Sequence, residues 1–314
     1  MNNTRIVFMG TPSFASNVLE GLLTNGYNIV GVVSQPDKEV GRKKVLTASP
    51  VKEVALKYNI PVFTPKKIRI EYEDILKLDP ELIITCAYGQ IIPSAILDYP
   101  KYKCINTHGS LLPRGRGGAP IQHALIDGDD KTGITLMHMN EKMDEGDILY
   151  QEELVIDEHD TNTSLFSKLS DLALKMLLEF LPKYFEGDYN PIKQDNSLAT
   201  YTYNLTKQDE FISFNKPVKQ VYNHIRGLLD NPGAYFVADN ISYKLIKVFY
   251  EETIIDKPNT IVGLEKNYLR INCLDGFIQV FEIKPEGKNT MDSKSFFNGK
   301  GKSLVGLNPK TDYE

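Results

Sequence analysis

Residues 5–34, RIVFMGTPSFASNVLEGLLTNGYNIVGVVS, set the fold. Arg5 to Gly10 is a short apolar run closed by glycine. Pro12 then opens a helical pattern with Phe14, Val18, Leu22 and Leu23 on one face. Tyr27 to Ser34 is continuously apolar and β-branched, as a strand covered on both faces must be. The same alternation continues: a helix from Ser49-Pro50 through Tyr58, the short strand IPVFTP, a helix near Tyr72 to Leu78, a strand at Glu81 to Gly89, a helix near Pro93 to Leu97, and the strand KCINTHG. Strands and helices alternating at this spacing predict an α/β domain, a Rossmann-like, mostly parallel doubly wound sheet. Ligands bind such sheets at the carboxyl ends of the strands, which draws attention to Ala87–Gln90 and Asn106–His108.

Farther on, strands are expected at Ile134–Asn140 and Ile148–Ile156 around an acidic turn. A long amphipathic helix should run from Thr163 to Tyr184 with Leu165, Leu169, Leu172, Met176, Leu177 and Leu181 inward. Residues 187–207 have weak periodicity and read as a linker. One helix, Val218–Leu229, then precedes short strands at 234–237, 242–250, 260–264, 269–273 and 277–283, a pattern expected of a small β-barrel of the oligonucleotide-binding kind. The predicted organisation is a domain at 1–186, the linker, and a second domain at 208–314.

The chain has 314 residues, room for two such cores. Its composition, 41% hydrophobic and 25% charged, is that of a folded protein rather than a disordered one. The start MNNTRIVFMGTPSF lacks the pattern of a signal peptide and no apolar run approaches membrane-spanning length, so a cytoplasmic protein without a membrane partner is expected. Cys86, Cys104 and Cys273 lie far apart and read as small core hydrophobes. His123, His138, His159 and His224 lack metal-ligand spacing, and MGTPSFA lacks the glycine pattern of a dinucleotide site. A net charge of −5 argues against indiscriminate nucleic-acid affinity. Residues 204–314 carry 15 basic and 14 acidic side chains, +1, leaving −6 for the first part, which nevertheless holds the dense basic loop Arg42, Lys43, Lys44.

Asn106 and His108 stand two apart on a strand and so share a face, where both can donate hydrogen bonds to one small oxygen. The turn MDEGDIL adds Asp144, and a carboxylate beside an imidazole equips the pair for general acid–base work. Taken singly, each has a duller reading: a loop-edge hydrogen-bonding pair, and a turn residue.

The combined stretch INTHGSLLPRGRGGAPIQHALIDGDDKTGITLMHMNEKMDEGDI resembles the central signature of the methionyl-tRNA formyltransferase family. The flanks RIVFMGTPSFA, VVSQPDKEVGRKK, ASPVKEVALKYNIPVFTPKKIR, AYGQIIP and FNKPVKQVYNHIRGLLDNPGAY are similar to that family too, in order over residues 4–310. The resemblance implies a catalytic trio of Asn106, His108 and Asp144, and a folate site at Ser110, Leu111, Leu112 and Pro113. Tyr88, Gly89, Ile91 and Ile92 are expected to supply part of the lining of the same pocket, with a plain core role as the alternative reading of Ile91 and Ile92. It further implies 10-formyltetrahydrofolate as donor, initiator methionyl-tRNA as acceptor with Arg42, Lys43 and Lys44 in contact with it, a role in translation initiation, and no metal. A monomer is expected. Lys219, Arg226, Lys244 and Lys247 are candidates for a local basic face on the second domain. The family commonly has an aromatic residue where this chain has Gly115, and a Trp near Asp230-Asn231; Gly115 is expected to loosen its loop. The rival readings are a formyltransferase for another amine, such as glycinamide ribonucleotide or an amino sugar nucleotide, and a catalytically silent RNA-binding protein.

Overall fold

A computed structural model describes residues 3–41 and 44–313. The chain divides into two compact units, the first made of residues 1–117, 132–155 and 166–202, the second of 118–131, 156–165 and 203–314.

The strands in chain order are β1 (Ile6–Gly10), β2 (Ile29–Val33), β3 (Lys38–Val40), β4 (Val45–Thr47), β5 (Val62–Phe63), β6 (Leu82–Cys86), β7 (Cys104–His108), β8 (Arg116–Gly117), β9 (Lys131–His138), β10 (Ile148–Val155) and β11 (Tyr201–Thr202). Seven of them form one sheet in the order β10-β9-β7-β6-β1-β2-β5. Pairing is parallel from β7 through β5, while β9 runs antiparallel to β7. Strands β1 and β6 are buried along their whole length, which is why their sequences are unbroken apolar runs rather than alternations. Chain order reverses across β1, placing the carboxyl ends of β1 and β6 at the crevice where such sheets take ligands.

Helices α1 (Ser13–Thr24), α2 (Pro50–Lys57), α3 (Glu73–Leu76) and α4 (Ser94–Leu97) lie where the periodicity puts them, although α3 and α4 are single turns. Ser49 caps α2 by accepting from the backbone N–H of Lys52, with Pro50 at the first helical position. Two further helices follow β7 in the chain, α5 (Pro120–Asp127), which belongs to the second unit, and α6 (Asn162–Glu186), most of which belongs to the first. The inward stripe Leu169, Leu172, Met176, Leu177 and Leu181 of α6 is buried, and Ser170 donates to the carbonyl of Phe14 on α1 at 2.9 Å.

Three features have no counterpart in the periodicity. The hairpin β3–β4 pairs Lys38 with Thr47, and β8 pairs in parallel with β11. The stretch 187–207 carries structure of its own: a short 3-10 turn at Asn196–Leu198 and β11.

The second unit pairs helix α7 (Val218–Leu228) with an antiparallel sheet of β12 (Ala234–Ala238), β13 (Ile241–Glu252), β14 (Ile261–Glu265), β15 (Tyr268–Asn272), β16 (Gly276–Pro285) and β17 (Met291–Asp292). The order is β12-β13-β16-β15-β14, with β17 on β16. The face of α7 bearing Val218, Val221, Tyr222, Ile225 and Leu228 joins Phe236, Tyr243, Val280 and Ile283 in one core. A last helix, α8 (Ser293–Asn298), adds Phe296 to it. No helix among the described residues is long and apolar enough to cross a membrane.

Candidate active site

The residues that meet at the end of β7 all belong to the first unit. Strand β7 aims Asn106 and His108 at its carboxyl end, and the turn after β9 brings Asp144 to them. Asn106 Nδ2 donates to Asp144 Oδ1 at 3.3 Å, and His108 Nδ1 lies 3.7 Å from the same oxygen. The other carboxylate oxygen, Oδ2, accepts from the backbone N–H of Gly117 at 2.9 Å. Asn106, His108 and the backbone of Gly117 therefore meet on one carboxylate from a distant turn of the chain.

Each member is held from behind. Thr85 on β6 donates its hydroxyl to Asn106 Oδ1 at 2.8 Å. That contact, together with the carboxylate on the other side, selects the amide orientation: flipped, Asn106 would present its oxygen to Asp144. His108 is buried and its Nε2 lies 2.8 Å from the carbonyl oxygen of Gly115. A carbonyl only accepts, so Nε2 carries the proton and Nδ1 is the nitrogen left to exchange one beside Asp144. Asp144 itself has φ +50, a left-handed conformation that its surroundings must hold in place. Gly146 explains part of that turn, because a Cβ there would run into the carbonyl of His138. Gly117 at φ +103 likewise leaves room for the carbonyl of Thr202.

The loop after β7 is pinned rather than free. Ser110 is buried and donates to the carbonyl of Arg114 at 2.7 Å. Thr135 on β9 donates to the carbonyl of Ser110 at 2.6 Å and accepts from the N–H of Leu112 at 3.2 Å. Gln151 on β10 donates to the carbonyl of Leu112 at 3.0 Å. Leu112 is buried, whereas Leu111 and Pro113 are half-buried. Gly115 does not loosen this loop: its N–H donates to Thr200 Oγ1 at 2.9 Å while its carbonyl receives His108. The conformational freedom of glycine is spent on a left-handed position, φ +73, fastened at both ends.

At the end of β6, Tyr88 turns into the core with Val7, Met9 and Ile83, and Ile92 is buried beside it. Ile91 points outward and is 59% exposed. Gly89, at φ +86, leaves its backbone approachable, with only the Gln35 side chain near the place of a Cβ. Lys44 sits at the turn of the β3–β4 hairpin, paired at 3.8 Å with Glu39 across solvent, a weak tie. Arg42 and Lys43 lie outside the described residues.

Some expected residues serve other ends. In the second unit Arg226 is buried, and its guanidinium donates to Asn223 Oδ1 and to the carbonyls of Asp157, Glu158 and Asp160, so it offers no cation to a surface. Lys244 donates to the carbonyl of Pro232 at 3.2 Å, while Lys219 and Lys247 are exposed. His138 packs against Tyr184, whose hydroxyl is 3.0 Å from Nε2; burial, followed by the charge of Lys103, pushes its pKa down to about 4. The three cysteines are buried and free, with burial raising each thiol. Among the described residues no group of three or more His, Cys, Asp or Glu could hold a metal.

Two residues of the site escaped the sequence reading. Thr85 sits inside an apolar run as a β-branched residue among its like. Gln194 lies in a stretch without periodicity, yet it donates to the backbone carbonyls of Asp144 and Gly146. Only the position of Thr85 on the neighbouring strand, two residues before the crevice, carried any signal for either.

Residues 4–181 match the formyl transferase family and residues 204–301 the formyl transferase C-terminal domain family. A methionyl-tRNA formyltransferase of Bacillus mycoides is 47% identical over 302 residues, covering 94% of this chain and 95% of that protein. One from Ligilactobacillus salivarius is 44% identical over 308 residues, covering 96% of each. Among solved structures, HypX from Aquifex aeolicus in complex with tetrahydrofolic acid superposes with a TM-score of 0.69 at 16% identity, over 97% of this chain and 48% of that one. This chain thus spans about half the length of HypX, and the likeness speaks for the fold alone. With both halves matched and close relatives alike from end to end, the chain belongs to the methionyl-tRNA formyltransferase family.

Proposed function

We propose that this protein transfers the formyl group of 10-formyltetrahydrofolate to the α-amino group of initiator methionyl-tRNA, the formylation that precedes translation initiation. The observation that carries the reading is the convergence of Asn106, His108 and Asp144 at the carboxyl end of β7, with Asn106 Nδ2 and His108 Nδ1 at 3.3 and 3.7 Å from one carboxylate oxygen. The names of its relatives support methionyl-tRNA as the acceptor, and the folate donor follows from the family resemblance.

When an amine attacks a formyl carbon, negative charge grows on the formyl oxygen, and each preplaced donor there contributes roughly 3 kcal/mol to stabilising it. Asn106 suits this task because Nδ2 carries two protons and only one is engaged by Asp144. Its amide is fixed by Thr85, so the donor is in place before the reaction begins. His108, anchored through Nε2, exchanges its second proton at Nδ1 next to Asp144. Nδ1, beside Asp144, takes the proton that leaves the attacking amine, and the pair returns that proton toward the leaving nitrogen. The folate donor supplies the formyl carbon already activated on nitrogen.

The residues at the mouth fit a flat, partly apolar ligand. Ile91 and Leu111 present apolar surface, Gly89 an approachable backbone, and Ser110, Leu112 and Pro113 a fixed loop. Tyr88 would act from behind as packing. We assign residues 1–186 to formyl transfer, 187–207 to the connection, and 208–314 to a tRNA-binding β-barrel of the oligonucleotide-binding type. Arg42, Lys43 and Lys44 would meet acceptor-stem phosphates. The chain is read as a cytoplasmic monomer.

The test is to supply 10-formyltetrahydrofolate with methionyl initiator tRNA and, in parallel, with glycinamide ribonucleotide and an amino sugar nucleotide. Formyl-methionyl-tRNA as the product supports the reading; formylation of a small amine alone overturns it.

A further inference from the structure

The left-handed turn that delivers Asp144 is fastened by a carboxamide whose every hydrogen-bonding position is used. Gln194 Nε2 donates to the carbonyl oxygens of Asp144, at 2.8 Å, and Gly146, at 2.7 Å. Its Oε1 accepts from Arg116 Nε at 3.0 Å and Nη2 at 2.8 Å. Arg116 is only 1% exposed, and Nη2 donates in addition to Asn196 Oδ1 at 2.8 Å. The guanidinium has no acceptor to offer, so the amide of Gln194 has one orientation: oxygen toward Arg116, both protons toward the turn.

One of the carbonyls so gripped belongs to the residue with φ +50 itself and the other lies two residues farther on; that φ is a backbone state that a non-glycine residue keeps only when its surroundings enforce it. From that backbone the carboxylate reaches Asn106, His108 and the N–H of Gly117 together. Arg116 and Gly117 are adjacent, so the residue that orients Gln194 neighbours the one that grips Asp144 Oδ2.

We propose that Gln194, oriented by Arg116, is a positioning residue for formyl transfer: it holds the Asp144 turn so that the carboxylate sits within reach of Asn106 and His108. The claim rests on the formyl-transfer reading above and goes beyond it in giving a positioning duty to a residue of the stretch 187–207. Gln194 touches no reacting atom; it acts through Asp144.

The experiment uses the full-length protein and the variants Gln194→Ala, Gln194→Glu, Asp144→Ala and the double variant Gln194→Ala/Asp144→Ala. Gln194→Glu keeps a partner for Arg116 but turns an acceptor toward the two carbonyls, so it separates positioning from packing and serves where the alanine variant fails to fold. Displacing a catalytic group by a fraction of an ångström to an ångström costs up to roughly a hundredfold in rate. Both Gln194 variants are therefore expected to lose roughly ten- to a hundredfold in kcat with KM for folate and tRNA nearly unchanged. In the Asp144→Ala background the Gln194 substitution should cost nothing further, because the group it positions is already gone.

A second readout needs no turnover: the amide proton resonance of Gly117, which donates to Asp144 Oδ2, should shift in the Gln194 variants in the same direction as in Asp144→Ala. Independent, multiplying losses in the double variant, or a Gly117 resonance unmoved by Gln194 substitution, would overturn the proposal. Should the wild-type protein formylate no methionyl-tRNA, the assigned reaction fails, while the Gly117 resonance still decides whether Gln194 positions Asp144.

Discussion

His108 donates from Nε2 to the carbonyl oxygen of Gly115, 2.8 Å away, so the ring is locked with its other nitrogen beside Asp144. General acid–base residues commonly contribute roughly 10²–10⁴ in rate, and His108→Ala is expected to lose turnover in that range. Binding of methionyl-tRNA, measured by filter retention, should change little. Wild-type turnover in this variant would remove His108 from the chemistry.

Thr85 supplies the hydrogen bond that orients the Asn106 amide. A single such bond is worth about 1 kcal/mol, so Thr85→Val, which keeps the shape and loses the hydroxyl, should slow formyl transfer by roughly fivefold to tenfold. Thr85→Ser should restore most of it. Equal rates for the Val and Ser variants would show that the amide needs no such anchor.

Arg226 spends its guanidinium on three backbone carbonyls and Asn223 within the second unit. Removing it leaves buried acceptors unpaired, at roughly 1–3 kcal/mol for each. Arg226→Met should lower the thermal midpoint clearly while leaving the salt dependence of tRNA binding as it was. A stable variant with a weakened salt response would place Arg226 among the phosphate contacts after all.

Arg42 is the residue of the basic loop most directly assigned to tRNA. Each phosphate contact adds about one unit to the slope of log affinity against log salt. Arg42→Ala should therefore raise KM for methionyl-tRNA and flatten its salt dependence, with KM for the folate donor unchanged. An effect confined to the folate side would contradict the assignment.

His138 is buried beside Tyr184 and its pKa is pushed down to about 4. Unfolded, an imidazole takes a proton near pH 6.5. Between those two values the unfolded chain binds the extra proton, so the native state loses stability as pH falls from about 6.5 toward 4, by roughly 3 kcal/mol in all from this group. His138→Gln should make unfolding less pH-dependent in that window, read by chemical denaturation at pH 7 and 4.5. An identical pH slope in the variant would show that the ring titrates freely in the native state.

The parallel sheet was legible because β1, β2 and β6 are largely apolar runs separated by helical periods, and burial on both faces demands such runs. The short pairings β3–β4 and β8–β11 were not, since two or three residues hold no period. Asn106, His108 and Asp144 could be singled out because the whole stretch around them resembles the family's signature; taken singly, a loop-edge pair and a turn residue were the duller readings. Gln194 could not: its role depends on meeting two carbonyls about 50 residues away in the chain, and nothing around it marks that partner. Arg226 was misread for the converse reason. A cation on a helix looks like surface until the carbonyls that bury it are known. Gly115 was misread as slack, when its φ of +73 and its two backbone hydrogen bonds make it a fixed support for His108.

The account stands on Asn106, His108 and Asp144 working as one unit on the formyl oxygen and the migrating proton. Single-turnover formyl transfer from 10-formyltetrahydrofolate to methionyl-tRNA, measured for the three alanine variants and for the triple variant, tests this most directly. The account predicts a large loss for each and a triple variant no slower than the slowest single one. Three losses that multiply, or any single variant at the wild-type rate, would contradict it.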